Sequence, residues 1–173
     1  SLNKLHWSIL KNEFKNKKTN SRLENVVVNK YGIVDGPFGS NLKKIHYKDE
    51  GVLVLQSGYV TKGYFEITEK VFVDEKKYNE QIRSSAWAGD ILMSKIGANY
   101  GECAIIPKYI KKALIAGNAI RIRTNDDKVY AEYLLYFLKY KKQMKVLKKY
   151  VTTTAQPALT IANLKKITMF MPK

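Results

Sequence analysis

Asp74-Glu75-Lys76 supplies the Asp-x-Lys spacing of a metal-dependent nuclease, in which acidic groups hold a cation and a nearby lysine assists. In a chain with 27 lysines such a triplet arises by chance, and its place at a polar helix start offers it a plainer role. Other chemistries lack their residues altogether. Methyl transfer to an amino group of DNA calls for an Asn/Asp-Pro-Pro-aromatic loop and a Gly-x-Gly cofactor loop. The four prolines, Pro37, Pro107, Pro157 and Pro172, never adjoin, and no two of the ten glycines stand as Gly-x-Gly. No glycine is followed by lysine, which removes the phosphate cradle of a P-loop. Neither His-Glu-x-x-His nor Gly-x-Ser-x-Gly occurs, and with them go two common routes to hydrolysis. One cysteine, Cys103, and two histidines, His6 and His46, exclude a disulfide framework and a Cys/His zinc site. The chain is therefore expected to hold no catalytic residue, metal or cofactor.

Charge points to a partner instead. Thirty-one Lys+Arg against 15 Asp+Glu give a net charge of +16, which concentrates polyanions, nucleic acid ahead of an anionic membrane surface. Richness in Lys, Asn, Ile and Tyr is also the mark of AT-rich coding, so charge alone leaves both readings open. Only four arginines are present, Arg22, Arg83, Arg121 and Arg123, so bidentate guanine forks are not the main reading device. Apolar runs such as residues 103–107 and 113–116 fall far short of the ~18 residues that span a bilayer. At 173 residues the chain matches one domain of roughly 150 residues plus an appended helix or arm. A soluble cytoplasmic domain, cut from a longer chain, is expected.

The elements that must position any contact residues read as mixed α and β. Residues 4–14 carry Leu5, Ile9 and Leu10 at helical spacing and give way to a polar linker over residues 15–21. This sets the expected division: an N-terminal helix and linker over residues 1–21, then one domain over 22–173. A short helix is expected around Leu23, Val26 and Val27, then a turn at Asp35-Gly36-Pro37-Phe38-Gly39-Ser40. Strands are expected over residues 52–60, 64–73, 102–106 and 119–123, from Ile91, and over 167–171, with helices over 76–85 and 161–166. The strongest pattern predicts a helix over residues 129–150. There Tyr133, Phe137, Tyr140, Met144, Leu147 and Val151 recur at steps of four and three, opposite Lys141, Lys142, Lys145, Lys148 and Lys149. That lysine face is either simply solvated or lies along a phosphate backbone or partner subunit. Strands dispersed among helices without regular alternation predict an α+β fold, a single mixed-sheet domain with flanking helices.

Five segments in order carry a resemblance. They are Gly36-Pro37-Phe38-Gly39-Ser40; Val54-Leu55-Gln56-Ser57-Gly58-Tyr59-Val60-Thr61-Lys62-Gly63; Gly89-Asp90-Ile91-Leu92; Lys95-Ile96-Gly97-Ala98-Asn99-Tyr100-Gly101; and Gln156-Pro157-Ala158-Leu159-Thr160 with Leu164-Lys165-Lys166-Ile167. Residues 22–172 thus resemble one target recognition domain of the DNA specificity subunit of a type I restriction-modification system. The resemblance implies a non-catalytic reader of one half of a split double-stranded DNA sequence. An adenine methyltransferase (modification) subunit would supply S-adenosylmethionine, and a restriction subunit and a second specificity domain are further implied partners. Family subunits carry two such domains separated by long helices, whereas this sequence holds one and stops at Pro172-Lys173. An excised half, a half-size subunit and the recognition domain of a fused methyltransferase-nuclease all fit.

Within these segments the polar loop residues are the expected contacts. Asn41, Gln56, Ser57, Tyr59, Asn99, Tyr100 and Gln156 are candidates for base edges, with Asn99 suited to adenine N6 and N7. Lys43, Lys44, Lys62, Lys95 and Arg121 are candidates for phosphates, joined by the Ser40 hydroxyl. Thr153, in the polar stretch Thr152-Thr153-Thr154-Ala155-Gln156, suits either a DNA contact or a simple loop. Gly89-Asp90 reads as a turn. A non-specific nucleic-acid binder remains as the alternative, its twelve tyrosines offering stacking surfaces for single strands.

Overall fold

Ile91-Leu92-Met93-Ser94 shows no polar–apolar alternation because both of its faces are covered. The computed structural model, which describes residues 4–15, 17–152 and 156–171, shows what covers them. In chain order the helices are α1 (Lys4–Lys15), α2 (Glu75–Glu80), α3 (Ala131–Gln143) and α4 (Ile161–Lys165). The strands are β1 (Ser21–Arg22), β2 (Ile33–Asp35), β3 (Val52–Leu55), β4 (Phe72–Val73), β5 (Ser85–Ala86), β6 (Ile91–Ser94), β7 (Cys103–Ile105), β8 (Ala113–Ile115), β9 (Ala119–Ile122) and β10 (Thr168–Met169). Strands β2-β9-β6-β7 form an antiparallel sheet, and β4-β3-β8-β5 form a mixed one in which β3 and β8 run parallel. A short ribbon pairs β1 with β10 and closes the chain on itself.

The two sheets pack face to face, with helices outside the first. Side chains alternate between layers along each strand. Ile91, Met93, Ile120 and Ile122 face Leu134, Phe137 and Leu138 of α3 and Leu164 of α4. Leu92, Ala104 and Ala119 point the other way and meet Leu55, Ala86 and Ile115 of the second sheet. That sheet's outer face, Val52, Val54 and Leu114, is covered by Tyr78 of α2. Phe14 of α1 joins from outside, its ring 5.5 Å from that of Phe137 and 5.2 Å from that of Tyr140. The α+β architecture with mixed pairing is the one expected. Cys103 is fully buried in β7, and burial pushes its thiol up to about 12, so it takes no part in chemistry at neutral pH.

Several elements differ from the sequence reading for identifiable reasons. Helix α3 ends at Gln143 because Lys145 adopts a left-handed backbone, φ 57°, and residues 146–150 continue as a 3₁₀ turn. That turn returns Leu147 to the core, so the apolar spacing survives the break, while Met144 at the break is exposed. Of the lysines opposite the stripe, Lys142 is committed, donating to the carbonyl of Tyr100 at 2.5 Å; Lys139, elsewhere on the helix, donates to that of Gly63 at 2.7 Å. The strand expected over residues 52–60 stops at Leu55, and a 3₁₀ turn, Ser57–Val60, follows. Of the strand expected over 64–73, only Phe72–Val73 is strand, with the Val71 carbonyl accepting from the Val54 amide at 2.7 Å beside it. Strands β2 and β8, not assigned from sequence, are each three residues long and are held by neighbours distant in the chain.

Candidate nucleic-acid interface

Strand directions bring the resemblance segments together. Because β2 and β6 both run antiparallel to β9, their C-terminal ends point the same way. The parallel pair β3 and β8 ends there too, since Ala116-Gly117-Asn118 alone carries β8 into the start of β9. Everything that follows a strand at this end is a loop, and the loops touch. The Gly36 amide donates to the Ala119 carbonyl at 3.2 Å, and the Lys95 amide to that of Asn118 at 3.0 Å. The Ser57 amide donates to Oδ1 of Asn118 at 3.3 Å. Gly97 donates to the Pro157 carbonyl at 3.1 Å, and Leu159 to that of Lys95 at 3.0 Å, which joins the segment after Gln156 to the same group.

Close approach explains two of the small residues. A Cβ on Gly36 would lie 2.1 Å from the carbonyl oxygen of Ala116, and one on Gly117 would lie 2.8 Å from that of Pro37. The loops therefore cross backbone against backbone, which only glycine allows.

Several cations at this end are held in place. Asp35, the last residue of β2, accepts from Lys95 Nζ at 2.9 Å and from Arg83 at 3.1 Å. The Lys95 ammonium also lies 4.0 Å above the Phe38 ring. Beyond Phe38 the chain is open to solvent: Ser40, Asn41, Lys43 and Lys44 are exposed, and the Lys43 amide is fixed by His46 Nδ1 at 2.9 Å. Asn99 and Gln156 are exposed at the rim, Gln56 and Ser57 are half-buried, and Lys62 is exposed in an ion pair with Glu66 at 2.6 Å. Tyr100 is half-buried with the Lys142 ammonium 4.5 Å over its ring. Burial is the main cause lowering the Lys142 pKa, with nearby Glu102 opposing it. One patch thus holds amides able to read base edges and ammonium groups able to meet phosphates.

Two of the expected contacts lie in the interior and are corrected here. Tyr59 is 1% exposed; its hydroxyl donates to the Glu69 carbonyl and its ring packs edge-on to Phe65. Arg121, also 1% exposed, sits between the sheets, where Ile120 and Ile122 turn to the helices and leave it facing β5. Its guanidinium donates to the carbonyls of Tyr31 at 2.6 Å, Ser85 at 3.2 Å and Arg83 at 3.5 Å. Burial, helped by neighbouring Arg123, lowers its pKa to about 10, so it stays charged at neutral pH as a brace between layers. Alternation alone could not say which side of β9 was wet. Thr153 lies outside the described residues.

Residues not singled out from the sequence also line this patch. Phe38 stands inside the Gly36–Ser40 segment and Asn118 follows a glycine, faint signals in both cases; Arg83 gave none. At the opposite end, Gly89-Asp90 forms the expected turn, in which Asp90 accepts from the Trp87 amide at 3.0 Å. Asp90 is also the buried partner of Arg123, at 2.7 and 2.8 Å. Asp74 caps α2, accepting from the Lys77 amide at 2.7 Å, the plainer role open to the Asp-x-Lys triplet. Among the described residues no three His, Cys, Asp or Glu side chains gather as a metal site would need.

The fold and this loop patch define a class of structure: an α+β domain with two packed sheets and a cluster of loops at one end. Solved structures with the same fold come from type I restriction-modification systems. A chain from a structure of such a system, solved to explain complex assembly and conformational transition, superposes with a TM-score of 0.71 at 18% identity, over 97% of this chain and 39% of that one. The HsdS subunit from Thermoanaerobacter tengcongensis gives 0.66 at 17% identity, over 97% and 38%. The S subunit from M. genitalium gives 0.54 at 13%, over 89% and 34%. The chain therefore spans less than two fifths of each of these proteins. No family model matches the sequence, and no curated protein matches it. No helix among the described residues is long and apolar enough to cross a membrane.

Proposed function

We propose that this domain reads one half of a bipartite duplex DNA sequence on behalf of a type I restriction-modification complex, and that it carries out no chemistry itself. The observation that carries this reading is the convergence of the loops after β2, β3, β6 and β8 into one exposed cationic patch. The shared fold of the type I structures supports it. A modification subunit that methylates adenine, a restriction subunit and a second specificity domain are the proposed partners. Residues 22–173 form the proposed reader, with the helix and linker of residues 1–21 before it.

The single-strand alternative would have to use other rings than Tyr59, which is buried; Tyr31, Tyr64, Tyr109 and Tyr130 are exposed.

Selection of the purified chain against random duplexes should enrich one short half-site. Lys43→Ala with Lys44→Ala should weaken binding about equally on all sequences and lower the salt slope by about two, near one for each phosphate left without its lysine. A specificity ratio near one, together with a preference for single strands, would overturn the proposal.

A further inference from the structure

We propose that Phe38 is the apolar side chain this domain presses between bases, opening one step of the half-site; the inference rests on the duplex-reading function proposed above. Phe38 is 46% exposed, a large apolar ring in contact with water, with the Lys95 ammonium over it and the exposed Lys43 and Lys44 a few residues on. An isolated exposed apolar residue is ordinary on a protein surface, so exposure alone assigns nothing. What distinguishes Phe38 is that it has no freedom to fold away.

Its loop is fixed on three sides. Gly36 is bonded to Ala119 and crosses the Ala116 carbonyl with no room for a Cβ. Pro37 fixes its own φ, and its carbonyl lies against Gly117. A Cβ on Gly117 would meet the Phe38 ring at 3.0 and 3.2 Å, so the ring itself rests on that glycine. From another direction the Lys95 ammonium sits 4.0 Å over the ring while bonded to Asp35 at 2.9 Å. The ring is thus held between Gly117 and Lys95 with part of its surface in water, and the same lysine places an ammonium group beside it. Apolar wedges in DNA-binding proteins work in this way: they unstack one step, and flanking cations hold the phosphates of the bent backbone. Flexible pyrimidine–purine steps open most easily, so a wedge adds specificity at a step that no hydrogen bond reads.

Ile45 provides the contrast. It is 80% exposed between Lys44 and His46, but the hydrogen bonds of its 3₁₀ turn stay within residues 43–47. It is equally apolar and equally near lysines, without the rigid seat.

The test uses the intact chain and the half-site it selects, with 2-aminopurine placed at each step in turn. Binding by the unaltered chain should raise fluorescence at one step. Phe38→Ala should abolish that rise and weaken half-site binding at least tenfold with the salt slope unchanged, while Phe38→Leu retains most of both. Ile45→Ala should behave as the unaltered chain. Equal affinity and equal fluorescence for Phe38→Ala, or an equal loss from Ile45→Ala, overturns the wedge. If Lys43→Ala with Lys44→Ala still weakens duplex binding in that case, the duplex-reading function stands and only the wedge fails. A chain that binds no duplex at all sinks both.

Discussion

Asp90→Ala is expected to destabilise the fold by about 3–5 kcal/mol, the usual cost of stripping a buried cation of its partner. Asp90 is 3% exposed and serves three groups at once. Both of its oxygens bond Arg123, one of them also accepts from the Trp87 amide at 3.0 Å, and Arg121 lies 4.0 Å away. Arg123, about a fifth exposed, can turn outward when the carboxylate is removed. Arg121 cannot: at 1% exposure its charge would remain between the sheets with only carbonyl acceptors. Arg123 also stacks over Trp87 at 3.2 Å, so the loss should appear in tryptophan fluorescence before global unfolding. Urea denaturation measures the effect. Asp90→Asn should cost less, because an amide oxygen can still accept from Trp87. A loss under about 1 kcal/mol for Asp90→Ala, the value typical of exposed pairs, would show that the ion pair is not anchoring this end of the sheets.

Gly36→Ala should be the most damaging single-methyl change within the loop patch. Its Cβ would stand 2.1 Å from the Ala116 oxygen and 2.5 Å from that of Ile115, both backbone atoms of the β8 end. Relief requires the Gly36–Ser40 loop and the Ala116–Asn118 connection to separate, breaking the bond from Gly36 to Ala119. We expect about 2–3 kcal/mol from overpacking, with about 1 kcal/mol more for the broken hydrogen bond. Duplex affinity should fall with it, because Phe38, Ser57 and Lys95 are all positioned through this crossing. Gly39→Ala provides the comparison. Nothing lies within 4 Å of a Cβ there, and only its left-handed φ of 59° opposes a side chain. That change should cost about 1–2 kcal/mol. Thermal unfolding and half-site binding of the two variants decide the matter: equal effects would mean that the crossing does not position the patch.

The two glycines show how much of the patch the sequence could reveal. Gly36 and Gly39 both read as turn residues, and both are, yet one is kept by a neighbouring backbone and the other by its own φ. Likewise the four-and-three spacing over residues 133–151 found the apolar stripe but not its break at Lys145. A left-handed residue followed by a 3₁₀ turn returns Leu147 to the same core that an uninterrupted helix would have reached.

The sequence by itself determined the charge, the missing catalytic motifs, the α+β character and the order of five segments that resemble a recognition domain. These depend on composition and on contacts between near neighbours, which a linear pattern records. Tertiary structure alone decided which side of each strand is dry, and so moved Tyr59 and Arg121 from the expected interface into the core. It also decided that Asp35 meets Lys95 and Arg83, 60 and 48 residues away, and that Asp90 meets Arg123, 33 residues away. The reason is physical. A period of two names two faces of a strand without saying what lies against either, and only the packing of one sheet on another settles which polar groups must find partners inside.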